Sequence, residues 1–410
     1  MTMFKYRDRT WVALIVLGIG LLIAAGLGLF GYIAFTSTPL HPDAQQVPSV
    51  TRSALVPKWG GAVDQARQIV RASVTDQNLP GLSVAVGVGG EIVWAEGFGW
   101  ADLEKRVPVA PETRFRIGTA STVLTSAAVG LLLEKDRLKL DDEIQAYVPA
   151  FPKKPWPVTL RQLMGHVAGV TSDGGDEGPL FAEHCNRPVD GLQHFAEESL
   201  RFEPGTAYRY SRYGWIVVSA AVEAAANEPF LQFMREQIFE PLGMHDTRAD
   251  SATEPVPGQA SAYFPRFAAN PRYGPDPMRA LDYSCYAGSS VFVSTPSDLV
   301  RYAMAIDSGK LLRPSTVQLL QTSQRLRSGQ ETGYGLGWDL ETIALSGKPT
   351  RVVGHDGDSL GGTVVSLMTF PEPGIVVAVT SNISYADTAA VGSKIAQAFA
   401  DHGKGPARSE

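Results

Sequence analysis

The segment Phe115-Arg116-Ile117-Gly118-Thr119-Ala120-Ser121-Thr122 leads into a long apolar stretch, and the fold is read outward from that turn. Leu124, Ala128 and Leu131 to Leu133 supply the apolar part of a helix that begins near Thr119. Residues three apart share a helix face, so Thr119 and Thr122 present their hydroxyls to the same side. Ser121, two positions after Thr119, is turned about 200° away. A helix start leaves backbone N–H groups without intrahelical partners, which suits it to stabilise an oxyanion. The turn thus offers backbone donors suited to an oxyanion, with threonine hydroxyls at both positions of the shared face.

Two further segments would have to converge on this turn. One is Tyr208-Arg209-Tyr210-Ser211-Arg212-Tyr213-Gly214-Trp215, in which Tyr210 is a candidate general base. The other is Gly354-His355-Asp356-Gly357, opening a strand rich in small residues such as Gly361 and Gly362. Around them, Gly60 to Asn78 has helical spacing at Val63, Ala66, Ile69, Val70 and Val74. Leu82–Val88 and Glu91–Phe98 read as strands joined into a hairpin at Gly89-Gly90. Late in the chain, Arg351–Val353, Thr363–Phe370 and Gly374–Thr380 are β-branched, and Pro371-Glu372-Pro373 turns the last two into a second hairpin. Thr388–Ala400 closes as an amphipathic helix. Between these ends lie a helix pair, Val217–Ala225 and Phe230–Phe239, and an acidic loop around Asp173-Gly174-Gly175-Asp176-Glu177. The pattern predicts an α+β fold: one antiparallel sheet from N- and C-terminal segments, flanked by helices, with a mainly helical region at about 119–306 inserted.

Upstream, Trp11 to Phe35 is an uncharged run of about 25 residues, long enough to cross a hydrocarbon core as a helix. Lys5, Arg7 and Arg9 precede it, which predicts residues 1–10 as a cytoplasmic tail and 11–35 as a single transmembrane helix. A cleaved signal peptide would have an apolar stretch of ~7–15 residues and a small-x-small cleavage site, and this run offers neither. Residues 36–57, polar and holding Pro39, Pro42, Pro48 and Pro57, read as a linker. Residues 58–403 form the domain and 404–410 a disordered tail. The expected location is a bacterial plasma membrane with the domain periplasmic or extracellular. There Cys185 and Cys285 could bridge and close a loop of about a hundred residues, or remain two buried thiols. The formal charge of −6, from 36 Lys and Arg against 42 Asp and Glu, gives no basic footprint for nucleic acid. The seven His are scattered without a ligand motif, so no metal or other cofactor is expected.

Taken in order, these segments resemble the serine β-lactamase and penicillin-binding-protein-like family, in particular class C β-lactamases, family VIII esterases and the mitochondrial serine β-lactamase-like branch. The resemblance spans about residues 60–400. Besides the turn at 115–122, it is carried by Gly97 to Asp102, Leu138–Asp142, Leu163-Met164-Gly165-His166, Pro204-Gly205-Thr206, Pro241-Leu242-Gly243-Met244 and Ala287-Gly288-Ser289-Ser290. It implies the β-lactamase/transpeptidase-like fold. It also implies a site, because the family's turn carries Ser-x-x-Lys, a nucleophile and the amine that helps activate it. Those positions are Thr119 and Thr122 here. Tyr210 matches the family's tyrosine, His355-Asp356-Gly357 its third motif, and Arg212 stands where Asn is often found. The resemblance thus gives Thr119, Thr122, Tyr210 and His355 as catalytic positions and Arg212, Gly357 and Ser289 as binding positions. His166 is expected to be a packed, hydrogen-bonded core residue, and Asp356 and Asp358 to lie in a solvated turn.

Threonine cannot accept a proton near neutral pH, and Arg212 is always protonated. Positioned proton transfer is worth ~10²–10⁴ in rate, so the loss of the amine bears directly on activity. Three functions follow: a membrane-anchored protein that lacks acyl-enzyme chemistry and binds a peptide, cell-wall fragment, small-molecule ester or partner in the cleft; an active acyl hydrolase of the esterase, peptidase or β-lactamase type using Thr119 with Tyr210 as base and Arg212 supplying positive charge; and a structural or self-assembling module.

Overall fold

The computed structural model describes residues 4–52, 56–172, 179–181, 183–252, 256–359 and 361–403. The acidic loop around Asp173–Glu177 and the tail 404–410 lie outside the described residues.

Both predicted hairpins form. Gly81–Val88 and Glu91–Asp102 meet at Gly89 and Gly90, whose φ angles of 60° and 89° are the left-handed values a tight hairpin demands. Thr363–Phe370 and Ile375–Ser381 pair in register from Val364↔Ser381 to Phe370↔Ile375. The two hairpins join edge to edge, antiparallel, through Ile375–Ser381 and Gly81–Val88. Among the described residues the sheet has eight strands, running from Ser49–Thr51 through Glu91–Asp102, Gly81–Val88, Ile375–Ser381, Thr363–Phe370 and Lys348–Ser359 to Asp339–Leu345, with Val107–Pro108 beside Glu91–Asp102. It is therefore the sheet of chain ends expected from the sequence.

Side chains alternate across this sheet and separate two cores. On one face Val84, Val86, Val377 and Val379 pack beneath the helices Gly60–Asp76 and Thr388–Gly403. Val63, Val70 and Val74 of the first helix and Val391, Ile395 and Phe399 of the second are buried at helical spacing. On the other face Ala85, Val376 and Ala378 meet the larger core around the motif helix, Ser121–Glu134. That helix is apolar all round and buried over nearly its whole length, as a central helix must be.

Four features differ from the sequence reading. Asp339–Leu345 is a strand that shows no clean apolar alternation, because its position at the sheet edge leaves most of its residues partly exposed. Asp356 and Asp358 sit within the strand Lys348–Ser359, not in a turn. Residues 36–57 are more than a linker: Ser49–Thr51 adds an edge strand against Glu96–Phe98, Val47 is buried, and the Arg71 guanidinium donates to the Val47 carbonyl at 2.8 Å. The inserted region also carries strands. Phe115–Arg116, Phe292–Ser294 and Arg248–Ala249 form a small sheet, and Tyr263–Pro265 pairs with Pro275–Pro277 as a hairpin.

Cys185 and Cys285 are joined in a disulfide across a sequence separation of 100. It ties the turn before Pro188–His194 to the Ser284–Tyr286 turn. Closing so long a loop restricts the unfolded chain, so the Cys185→Ser/Cys285→Ser double variant should lose about 2–4 kcal/mol of stability. Urea unfolding of the two proteins without reductant measures the loss.

Candidate active site

The site begins at the one-turn segment Gly118–Ala120 that runs into Ser121–Glu134. Thr119 and Thr122 face the cleft side. Ser121 is fully buried and its Oγ lies 3.4 Å from the Phe292 N–H, behind the helix. Against this turn rides the strand Lys348–Ser359. Gly357 makes the contact possible: a Cβ there would stand 2.1 Å from the Ile117 carbonyl oxygen and 2.9 Å from the Ala120 nitrogen. Its role as a binding position is thus one of backbone approach, since any side chain would push the strand off the helix start.

Thr119 is half-buried, and its hydroxyl donates to the Asp356 carbonyl at 3.3 Å. Thr122 is fully buried, its hydroxyl donating to the Thr119 carbonyl at 2.7 Å. The same Asp356 carbonyl accepts from His355 Nδ1. A carbonyl only accepts, so Nδ1 is the donor in that contact, and Nε2 lies 3.0 Å from the Tyr334 hydroxyl. Tyr334 and Asp339 escaped the sequence reading. Asp339 lies on the neighbouring strand with Oδ2 3.8 Å from His355 Nδ1, and its carboxylate is 44 % exposed. Tyr334 is placed by Trp338, whose indole N–H donates to Ser126 Oγ at 3.2 Å one turn beyond Thr122. The run Gly333-Tyr334-Gly335-Leu336-Gly337-Trp338 was the available signal.

Tyr210 arrives from the other side, held by His166. The His166 carbonyl accepts the Arg209 N–H at 2.9 Å and its Nδ1 the Ser211 N–H at 3.1 Å, while its ring lies 4.1 Å from that of Tyr210. His166 has φ +58°, a conformation disfavoured for a side-chain residue and fixed here by those three contacts. It is packed and hydrogen-bonded, and burial holds its pKa well below the ordinary 6.5, with His355 adding to the shift. The Tyr210 hydroxyl is buried and forms no hydrogen bond with a described group. Burial raises its pKa far above the ordinary tyrosine value; the adjacent Thr119 hydroxyl and the positive charge of Arg212 pull the other way and do not offset burial. Burial likewise raises Tyr334, and lifts Tyr208 to about 12.

The remaining expected positions divide. Arg212 opens the helix Arg212–Ala226, and its guanidinium lies 5.7 Å over the Tyr286 ring. Asp356 pairs across the sheet with Ser366, whose hydroxyl is bonded to Thr388 of the closing helix, so its carboxylate faces away from His355. Ser289 does not line the cleft. It is fully buried, because Gly288, at φ +73°, presses the turn so tightly on Ser219 that a Cβ there would stand 2.5 Å away.

Two stability measurements test this arrangement. Tyr334→Phe strips the buried His355 Nε2 of its hydrogen-bond partner and should cost about 1–3 kcal/mol, whereas Tyr210→Phe removes a hydroxyl that bonds nothing and should be neutral or stabilising. Both are read from urea midpoints at pH 7.5. His166 remains neutral when folded but binds a proton below about 6.5 when unfolded. Its stability contribution is therefore present above that pH and is lost as pH falls from 6.5 toward the depressed folded value. Unfolding free energy between pH 7.5 and 5.5 should decline, with a limiting slope of about 1.4 kcal/mol per pH unit for one such histidine. A flat profile would contradict the buried, neutral assignment.

Comparison with known proteins bears on the fold and the family. The human mitochondrial serine beta-lactamase-like protein LACTB is 25% identical over 462 aligned residues, covering 88% of this chain and 83% of the relative. The structure of the octameric penicillin-binding protein homologue from Pyrococcus abyssi superposes with a TM-score of 0.68 at 22% identity, over 81% of this chain and 76% of that one. EstCE1, described as a hydrolase with promiscuous acyltransferase activity, superposes at 0.66 with 23% identity, over 83% and 98% of the two chains. The family profile described as Beta-lactamase matches residues 66–401, and the chain belongs to that family.

Proposed function

We propose that this protein is a membrane-anchored, extracytoplasmic member of the beta-lactamase family whose cleft binds a peptide or cell-wall fragment without conventional acyl-enzyme chemistry. One observation carries the reading: the Thr119 hydroxyl lies 3.3 Å from the Asp356 backbone carbonyl, an acceptor that cannot take up a proton as a base would. The amine position holds Thr122, whose own hydrogen goes to the Thr119 carbonyl. Tyr210 would have to be a phenolate to replace the amine, and burial favours its neutral form. This weighs against a working Thr119 hydrolase that relies on Tyr210 and Arg212.

The location has two supports. The uncharged helical span Trp11–Thr36, 26 residues long, follows Lys5, Arg7 and Arg9, a charge distribution that supports a cytoplasmic N-terminus. The Cys185–Cys285 disulfide suits an oxidising compartment on the far side.

The detergent-solubilised full-length protein should form no penicillin acyl-enzyme and should hydrolyse a chromogenic ester weakly at most. Nucleophile and amine act as a unit, so Thr119→Ser or Thr122→Lys alone should change little. The double variant should gain fluorophosphonate labelling, or ester turnover higher by ~10²-fold or more. Ordinary enzymatic turnover by the unmodified protein, abolished by Thr119→Val, would overturn the proposal.

A further inference from the structure

The anchoring helix does not simply leave the domain behind. Phe30, within the apolar span, packs its ring 6.0 Å from both Phe267 and Tyr273 of the segment between Tyr263–Pro265 and Pro275–Pro277. Ile33 is buried in the same contact region. The Ser37 hydroxyl donates to the Tyr273 carbonyl at 2.9 Å, and Arg266 donates to Thr36 Oγ1 at 3.1 Å. Asn78 accepts the Leu40 N–H at 2.7 Å, tying the next residues to the helix Gly60–Asp76 side of the domain. Helix end, hairpin and domain are one packed unit.

Length fixes what this unit meets. A helical span of 26 residues is about 39 Å long, some 9 Å more than a hydrocarbon core of about 30 Å. With the cytoplasmic end at the other interface, the last six residues, 31–36, fall in the headgroup region, with Phe30 at its inner edge. The groups packed on Phe30 and Thr36 are brought to the same depth. They are two aromatic rings and Arg266, with Arg272 exposed beside them, the composition that settles at a membrane interface. Between the rings, Ala268 and Ala269 form an exposed tip with φ of 53° and 50°. Residues 263–279 carry three arginines, 266, 272 and 279, against one aspartate, 276, so the charge also suits anionic headgroups.

We infer that the tip of this hairpin is a second membrane contact, dipping Phe267 to Tyr273 into the interface of the bilayer that the helix crosses. The inference rests on reading the N-terminal helix as a membrane anchor. It also gives the domain a fixed posture. Tyr263, at the base of the hairpin, donates its N–H to the Gly362 carbonyl just beyond the site strand, so the cleft is held at a set height above the lipid.

Nitroxide depth measurement on the full-length protein tests it, in vesicles of phosphatidylcholine and phosphatidylglycerol. Both native cysteines are in the disulfide, so single variants Ala268→Cys, Ala269→Cys, Leu22→Cys and Ser328→Cys label only at the new thiol. Power saturation then compares collision with oxygen and with a water-soluble nickel chelate. Labels at 268 and 269 should be several-fold less accessible to nickel than the label at 328 and intermediate in depth between 22 and 328. Labels at 268 and 269 as nickel-accessible as 328, with 22 shielded, would overturn the hairpin contact alone. A nickel-accessible label at 22 would overturn the anchor reading and the hairpin contact with it.

Discussion

The close approach of the strand Lys348–Ser359 to the start of the motif helix is the constraint on which the rest depends. Two backbones meet there with no side chain between them, which only Gly357 permits. Everything chemical in the cleft is referred to that contact. It aims the Asp356 carbonyl at both Thr119 and His355, and it sets His355 where Tyr334 can reach it. The strand in turn is held by its neighbours: a Cβ on Gly354 would lie 1.8 Å from the Leu367 carbonyl oxygen.

Within that frame, desolvation outweighs charge. Arg212 acts on Tyr210 in the direction that would favour a phenolate, yet the tyrosine is pushed up because its hydroxyl is shut away from water. The same burial keeps His166 neutral, which lets its Nδ1 accept a backbone N–H and serve as a bracket for the tyrosine segment. The site is thus rich in hydroxyls and imidazoles, with Tyr210 and His166 held uncharged by burial.

The N-terminal apolar helix obeys the same principle of shared packing. A helix tied to its domain only through a flexible tether would leave the orientation of the cleft to chance. Here Phe30, Ile33 and Thr36 are part of the domain's own packing, and the residues after them add a strand to the sheet.

What the sequence by itself determined is what depends on neighbours along the chain. Gly89-Gly90 and Pro371–Gly374 specify hairpins because turn geometry is local. The face shared by Thr119 and Thr122 follows from helical periodicity, and the membrane-length run follows from hydropathy alone. The ordered set of motifs was enough for the family, which is why the overall architecture and Tyr210, His355 and Gly357 could all be placed beforehand. What only the tertiary structure decided is what depends on residues meeting across the chain. The glycine-rich run around Tyr334 marks a turn but not its nearness to His355, Asp339 has no such mark, and Asp339–Leu345 lacks apolar alternation because an edge strand has little to bury. Ser289 matched a motif but is buried, since the turn that carries it is pressed against another helix. Above all, the nearness of the Thr119 hydroxyl to the Asp356 carbonyl joins two segments 237 residues apart. No spacing rule reaches that far, because it is set by packing in three dimensions and not by position along the chain.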